Sequence, residues 1–251
     1  MDTQILISEF VGTAVLMAFG SGVNSSVLLK NTLAKAFAPN WMSLIFGWGL
    51  AVTFAVYIGI ALGGPAHLNP AITISFAAGG LFPWDQVLPV VAAQMLGGFV
   101  GSAITMIHYF PHFKQTGPDE GNVVGIFATG PMSDNRFMNL LSEVIATFMF
   151  ILAILCLGKM SDGLFPFIVG MLVASIGFSF GSTTGFALNP ARDFGPRLAY
   201  AILPVPNRGT ANWGYAWVPV IGPIIGATIA VLFFLAVALN KKTTSILNAD
   251  H

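Results

Sequence analysis

Charged residues are scarce in this sequence. Only 8% of its 251 residues are Asp, Glu, Lys or Arg, whereas 55% are hydrophobic. An ordinary soluble domain has about 25% charged residues. Ten basic residues balance ten acidic ones, which excludes both a basic surface that recruits nucleic acid and the acidic tail of a disordered regulator. A chain this poor in charge is predicted to be a membrane protein that has no nucleic-acid partner.

Cysteine and the common catalytic motifs are also nearly absent. The single cysteine, Cys156, cannot form an intrachain disulfide, and we interpret it as a small hydrophobic core residue. No HExxH run, Gly-rich phosphate loop or Ser/His/Asp set is present, which argues against an enzyme. His108 and His112 have the spacing of metal ligands but no carboxylate or third ligand beside them. We therefore predict no catalytic residues, no metal site and no cofactor.

Long apolar runs, in contrast, are abundant. Six of them have about the 20 residues that a helix needs to cross a bilayer. They cover residues 4–24, 42–62, 86–109, 139–158, 164–182 and 215–239. The segments between them are rich in Gly, Pro, Asn and charge, so we expect water-exposed loops. Six spans place both termini on one side of the membrane, but the basic residues of the loops do not decide which side.

Two further apolar stretches, 70–79 and 190–201, are too short to span, because ten helical residues cover only about 15 Å. Each begins within a Leu-Asn-Pro-Ala motif. Asparagine suits the N-cap of a helix and proline its first position. We predict two half-helices, each with an asparagine amide group free as a donor at its positively polarised tip. Their first residues are Asn69, Pro70 and Ala71, and Asn189, Pro190 and Ala191.

The two halves of the chain resemble each other. "ISEFVGTAVLMAFG" at 7–20 matches "LSEVIATFMFILAI" at 141–154, and each half contains two spans, a short segment and a third span. Because three spans are an odd number, the second copy must lie inverted in the membrane. We expect a single domain, 1–251, made of two inverted repeats, about 4–109 and 139–239. The short segments would then enter from opposite faces and meet near the midplane.

Glu9 and Glu143 occupy the same point of the first span in each repeat. A carboxylate inside a membrane suggests a proton relay, but the symmetry of the pair favours a structural role. We expect each to accept backbone N–H groups ahead of a half-helix. His67, two residues before the first asparagine, suits a pH switch less well than a structural role.

Over nearly all of residues 4–240 the sequence resembles the major intrinsic protein family of aquaporins and glycerol facilitators. The paired NPA boxes, the Ser-Glu repeats, Gln94 in "AAQMLGGFVG" and the run "ALNPARDFGPR" carry the resemblance. It implies an aquaporin-like, all-α membrane protein with six transmembrane helices plus two re-entrant half-helices. It also implies a homotetramer with one pore per protomer, as a multi-pass protein of the cell membrane with cytoplasmic termini.

Asp193 directly after Arg192 resembles the glycerol-conducting branch of that family. By the same resemblance, the selectivity filter consists of Trp48, Gly177, Phe186 and Arg192, and His67 and Asp193 support the pore structurally. Gly177 has no side chain, so we expect an opening opposite the two aromatic residues. There, a polyol would lay its carbon chain on the aromatic wall and its hydroxyls toward Arg192.

These features predict a passive channel for glycerol and other small uncharged solutes, with some water. A water-selective aquaporin is an alternative, and so is a facilitator mainly for lactic acid, dihydroxyacetone or urea. Secondary transporters are also built from inverted repeats, but the intramembrane acids here are two symmetric glutamates and Asp193 beside Arg192. Apart from solute, water, the bilayer and other copies of the chain, no partner is expected.

Overall fold

All the regular secondary structure in the part of the chain that the computed structural model describes is helical. That part is residues 3–117, 119, 123–158, 160–161 and 163–249, with side chains through residue 238. A 3-10 turn at Leu33–Phe37 accompanies ten helices. They are α1 (Thr3–Leu28), α2 (Trp41–Ala61), α3 (Pro70–Ala78), α4 (Trp84–His108), α5 (Phe110–Gln115), α6 (Val124–Phe127), α7 (Arg136–Cys156), α8 (Leu164–Phe180), α9 (Pro190–Ile202) and α10 (Val218–Ala249).

The six predicted spans are present as helices. Five of them, α1, α2, α4, α7 and α10, are long and apolar enough to cross a membrane, and α8 is an apolar helix of 17 residues. At 1.5 Å per residue, α8 covers about 26 Å, close to the thickness of the hydrocarbon core. The helix ends differ from the predicted ends by a few residues, except that α10 continues to Ala249. The predicted fold class is confirmed.

The two short segments form helices of nine and 13 residues, α3 and α9. In each, asparagine is the N-cap and proline the first helical residue. Asn69 accepts the N–H of Ala71, and Asn189 accepts those of Ala191 and Arg192. Local sequence chemistry thus fixes where both half-helices begin.

Helix packing follows the repeat. The helix α1 packs on α4 as α7 packs on α10, and α2 packs on α8 between the two halves. Each half-helix lies against the third span of the other repeat, α3 against α10 and α9 against α4. Glycines allow the closest approaches, since a side chain at Gly101 would overlap the backbone of α1 and one at Gly226 the backbone of α7. The half-helices are therefore held between the repeats.

Two expectations about individual segments are wrong. The segment between α4 and α7 is not simply a water-exposed loop, because Phe113, Ile126 and Phe127 are fully buried and pack with Tyr200 of α9. Its apolar residues occur in runs too short to give a helical period, so the sequence pattern does not reveal them. Cys156 is exposed rather than part of the core, since it lies at the C-terminal end of α7.

Candidate functional site

The tips of the two half-helices meet and are joined by their asparagines. Asn69 Nδ2 donates to the carbonyl oxygen of Leu188 at 2.9 Å, and Asn189 Nδ2 donates to that of Leu68 at 2.7 Å. The expectation that each amide group is wholly free is therefore wrong. One N–H of each asparagine holds the backbone of the other repeat, and the second remains available to the cavity that both asparagines line.

The backbone ahead of each half-helix has a repeated and strained conformation. Ala66 and Leu68 have φ of 51°, and Phe186 and Leu188 have φ of 37° and 55°. Left-handed backbone is costly for residues with a side chain and persists only where the surroundings enforce it. The same alternation in both repeats indicates a shared requirement for this path.

Two buried glutamates enforce that path. Glu9 accepts the N–H groups of His67 and Leu68, each at 2.7 Å. Glu143 accepts those of Ala187 and Leu188 at 3.0 and 3.2 Å. The hydrogen bonds expected at both positions are present. Both side chains are fully buried, and each accepts several donors, which ties its segment to the first span of the repeat.

Further polar side chains complete the two glutamate sites. Gln94 donates to Glu9 at 2.7 Å and to Thr73 at 2.9 Å, whereas Thr184 donates to Glu143 at 2.7 Å. The ring of His67 lies 3.2 Å from the Thr73 hydroxyl and edge-on to two phenylalanines. The surroundings of His67 thus match the structural role expected for it.

A cavity of about 880 Å³, including its open ends, follows the meeting point of the half-helices. One part of its wall is polar and the rest is aliphatic and aromatic. The polar residues of the lining are His67, Asn69, Asn189 and Arg192, and residues 65, 66, 68, 187 and 188 also border the cavity. The apolar part includes Leu16, Trp48, Val52, Val56, Ile72, Phe76, Phe150, Ile154, Phe165, Val169, Val173 and Phe186. Such a wall suits a small molecule that is polar along one edge.

Arg192 and Trp48 face each other in this cavity. The guanidinium carbon lies 3.9 Å from the centroid of the indole ring, a distance at which the ring stabilises the cation. The indole N–H donates to Asn24 at 3.0 Å, and Asn24 in turn donates to backbone oxygens of Gly125 and Ile126. Trp48 is thereby fixed, and α6, which the sequence did not reveal, helps to fix it.

One nitrogen of Arg192, Nη1, is buried without a hydrogen-bond partner within the described chain. A buried donor without a partner is costly, and a guanidinium is an obligate donor. Arg192 is only 6% exposed and lines the cavity. The guanidinium is therefore a buried cation that forms part of the polar wall of the cavity.

Gly177 does not provide the expected opening. It is not among the cavity-lining residues, and a Cβ atom built on it would lie 3.1 Å from Phe186 and 3.2 Å from Ile45. The space left by the missing side chain is thus filled by neighbouring side chains. The sequence could not show this, because Phe186 reaches α8 from a loop.

Asp193 does not pair with Arg192 in a salt bridge but belongs to a separate buried group. Its carboxylate accepts the N–H and the hydroxyl of Thr129, both at 2.7 Å, and is bridged by Arg197 at 2.8 Å. Arg197, fully buried, also donates to backbone oxygens of Thr129 and Ala211. This group, which we call the Asp193 clamp, joins two loops to α9. The i,i+4 spacing of Asp193 and Arg197 is the signal by which the sequence could have shown it.

The two histidines near the end of the third span have other neighbours in the fold. His112 contacts the backbone oxygen of Lys30 at 3.1 Å, and His108 lies against the ring of Tyr109. Within the described residues, no group of three or more His, Cys, Asp or Glu side chains has the arrangement of a metal site.

Comparison with known proteins gives a consistent result. Residues 2–234 match the family model described as Major intrinsic protein. The chain is 51% identical to glycerol uptake facilitator protein 2 of Lactiplantibacillus plantarum, over 89% of this chain and 95% of that protein. It is 48% identical to the glycerol uptake facilitator protein of Bacillus subtilis, over 94% of this chain and 86% of that protein. The X-ray structure of the aquaglyceroporin from Plasmodium falciparum superposes with a TM-score of 0.81 at 30% identity, covering 92% of this chain and 95% of that one.

Proposed function

The chain belongs to the major intrinsic protein family, and from this premise we propose that it is a passive channel for glycerol. Other small uncharged solutes and some water share the same path. The protein is a channel and not an enzyme, as membership of this family implies.

The observation that carries the proposal is a cavity in which the Arg192 guanidinium lies against the Trp48 ring and two asparagines line a largely apolar wall. Trp48 and Phe186 line the cavity with apolar surface, against which a three-carbon chain can lie. Arg192 and the asparagine amide groups then replace hydrogen bonds that the hydroxyl groups lose on leaving water. Each bond left unreplaced would cost on the order of 1–3 kcal/mol. Two relatives named as glycerol uptake facilitators support the choice of solute.

Passive transport follows from the hydrogen bonds and the ion pair that hold the three buried carboxylates in place. Glu9 and Glu143 bind backbone N–H groups, and Asp193 is held by Thr129 and Arg197. A carboxylate that carries protons or sodium must exchange its partners during transport. Here, release of any of the three would free a strained loop or a buried arginine. Coupled transport is therefore disfavoured.

We further propose the setting in which the channel works. It forms a single domain of two inverted repeats, assembles as a homotetramer with one pore per protomer, and lies in the cell membrane with cytoplasmic termini. Large apolar side chains project outward from the spans, among them Leu50, Phe54, Leu96, Ile104 and Phe233. Such a surface requires lipid or a neighbouring subunit as its surroundings.

Stopped-flow light scattering on proteoliposomes tests the solute. Vesicles containing the protein should take up glycerol at least about tenfold faster than protein-free vesicles, a change that corresponds to about 1.4 kcal/mol in the barrier. Lactic acid, dihydroxyacetone and urea serve as competing solutes, and water permeability is measured in the same vesicles. Water flow without accelerated glycerol entry would identify a water-selective channel and overturn the proposal.

A further inference from the structure

The ring of Phe186 rests against two glycines at the C-terminal end of α8. A Cβ atom at Gly177 would lie 3.1 Å from Phe186 Cζ, and one at Gly181 would overlap Phe186 Cδ1. Residues four apart at the end of a helix lie on the same face. The ring therefore lies lengthwise along this face, which we call the glycine cradle (Gly177 and Gly181).

The backbone of Phe186 has little freedom to adjust. Phe186 has φ of 37° and follows Gly185 with φ of 83°, and the next two N–H groups are bound to Glu143. Gly185 also packs against Thr129, whose side chain lies 3.4 Å from the position of a Cβ there. A new side chain in the glycine cradle would therefore displace the ring rather than the loop.

Neighbouring side chains limit where the ring can move. Ile45 is fully buried beside Gly177, and Trp41 meets the ring edge-on with 6.0 Å between centroids and 89° between planes. The ring also borders the cavity, which Phe186 lines together with Trp48 and Arg192. Displacement from the glycine cradle would narrow the passage in front of Arg192.

We propose that Gly181 is a specificity-determining positioning residue of this channel. It does not line the cavity, and it acts by leaving room for the Phe186 ring. Its backbone has φ of −75° and ψ of −23°, which any residue adopts. What excludes a side chain there is contact with the ring and with the carbonyl oxygen of Gly177. The inference rests on the proposed function, because it concerns how the channel separates glycerol from water.

Three variants test the proposal: Gly181→Ala, Phe186→Leu and the double variant Gly181→Ala/Phe186→Leu. The alanine methyl should push the ring into the cavity, so glycerol permeability should fall about tenfold and water permeability less than about threefold. In the Phe186→Leu background, the same alanine should leave the ratio of glycerol to water permeability unchanged. Gly130→Ala is the matched control, because a Cβ at Gly130 meets no atom within 4 Å.

The outcomes separate this proposal from the proposed function. Wild-type vesicles that take up glycerol no faster than protein-free vesicles overturn the proposed function and, with it, the specificity role of Gly181. An unchanged ratio in Gly181→Ala, or an equal loss in both backgrounds, overturns the positioning role. If Gly181→Ala fails to fold, recovery of a folded protein in the double variant supports the role. If the double variant also fails to fold, the steric overlap is with the Gly177 carbonyl oxygen. That result would overturn the positioning role of Gly181.

Discussion

At the scale of single residues, the site is defined by a cation that is almost fully buried, at 6% exposure. Arg192 gains stabilisation from the Trp48 ring, yet one nitrogen has no partner in the described chain. Transfer of an unpaired charge into a low-dielectric environment is costly. The charge is therefore retained for what it does to molecules that enter. It attracts acceptor oxygens, and it adds a positive potential to that of the two half-helix tips.

Removal of this charge should weaken the barrier to cations. Arg192→Val should raise cation or proton leak by at least about tenfold, while neutral solutes still pass. Conductance in planar bilayers measures the leak. Arg136→Val is the matched control, because the Arg136 side chain is exposed at the start of α7. Conductance equal to that of the wild type, in a variant that still conducts water, would contradict the electrostatic role of Arg192.

Trp48, Phe186 and Arg192 were singled out from the sequence and all three line the cavity, but their contacts could not be predicted. The motif that contains Arg192 predicts its position after Asn189. The unexpected filling of the Gly177 corner depends on Phe186 and Ile45, which approach from a loop and from another helix. Spacing along the chain carries no information on such a contact. For the same reason, the sequence did not show the hydrogen bond that each asparagine side chain donates to the backbone of the other repeat.

At the scale of structural elements, the half-helices depend on the glutamates behind them. Glu143 accepts Thr184 Oγ1 and the N–H groups of Ala187 and Leu188. Glutamine would place an NH₂ donor against at least one of these donors. Glu143→Gln should lower the free energy of unfolding by roughly 1–3 kcal/mol. We expect a lower midpoint of thermal unfolding in detergent, together with reduced solute flux.

The exposed carboxylate of Asp85 provides the control for that measurement. Asp85→Asn should leave the unfolding midpoint unchanged, because the side chain lies at the surface in the first turn of α4. If the Glu143→Gln variant were as stable as the wild type and had normal flux, the strained segment ahead of α9 would keep its conformation without the carboxylate. That result would contradict the role given to Glu143.

The Asp193 clamp supports a second prediction at this scale. Breaking a buried ion pair by removing one partner typically costs about 3–5 kcal/mol, because the other charge remains buried. Arg197→Met should therefore lower the folded fraction after heating, as measured by size-exclusion chromatography. The double variant Asp193→Asn/Arg197→Met should recover part of that loss. If the double variant were no more stable than Arg197→Met, the harm would come from the lost contacts with Thr129 and Ala211 rather than from the uncompensated charge.

The beginnings of the short elements illustrate what sequence chemistry can predict. An asparagine cap followed by proline specifies the start of α3 and α9, and both helices begin there. The helices α5 and α6 have no such signal. Phe113, Ile126 and Phe127 are buried only because the folded segment covers the end of α9, so their position depends on tertiary packing.

At the scale of the whole molecule, the hydrophobic runs and the repeat were sufficient to predict the architecture. The length of the apolar runs predicted the membrane spans. Because each half has three spans, the second half must lie inverted in the membrane relative to the first. The sequence predicted that the two short segments meet near the midplane. It did not predict that α3 packs on α10 and α9 on α4.

Assembly as a homotetramer is testable on the purified protein. Native mass spectrometry in detergent should show a species of four chains, because the exposed apolar side chains of the spans offer surface for subunit contacts. Covalent cross-linking of proteoliposomes should give the same stoichiometry. A protein that remains monomeric in both experiments while it conducts glycerol would contradict this part of the account.

The central claim is passive conduction of glycerol through the cavity of a single chain. Its most direct measurement is the initial rate of glycerol entry into proteoliposomes at increasing glycerol concentration, with and without a proton or sodium gradient. The account predicts a rate that rises in proportion to concentration over a wide range, that is unaffected by ionophores, and that stops when concentrations are equal. Accumulation of glycerol against its own gradient, driven by either ion, would contradict it.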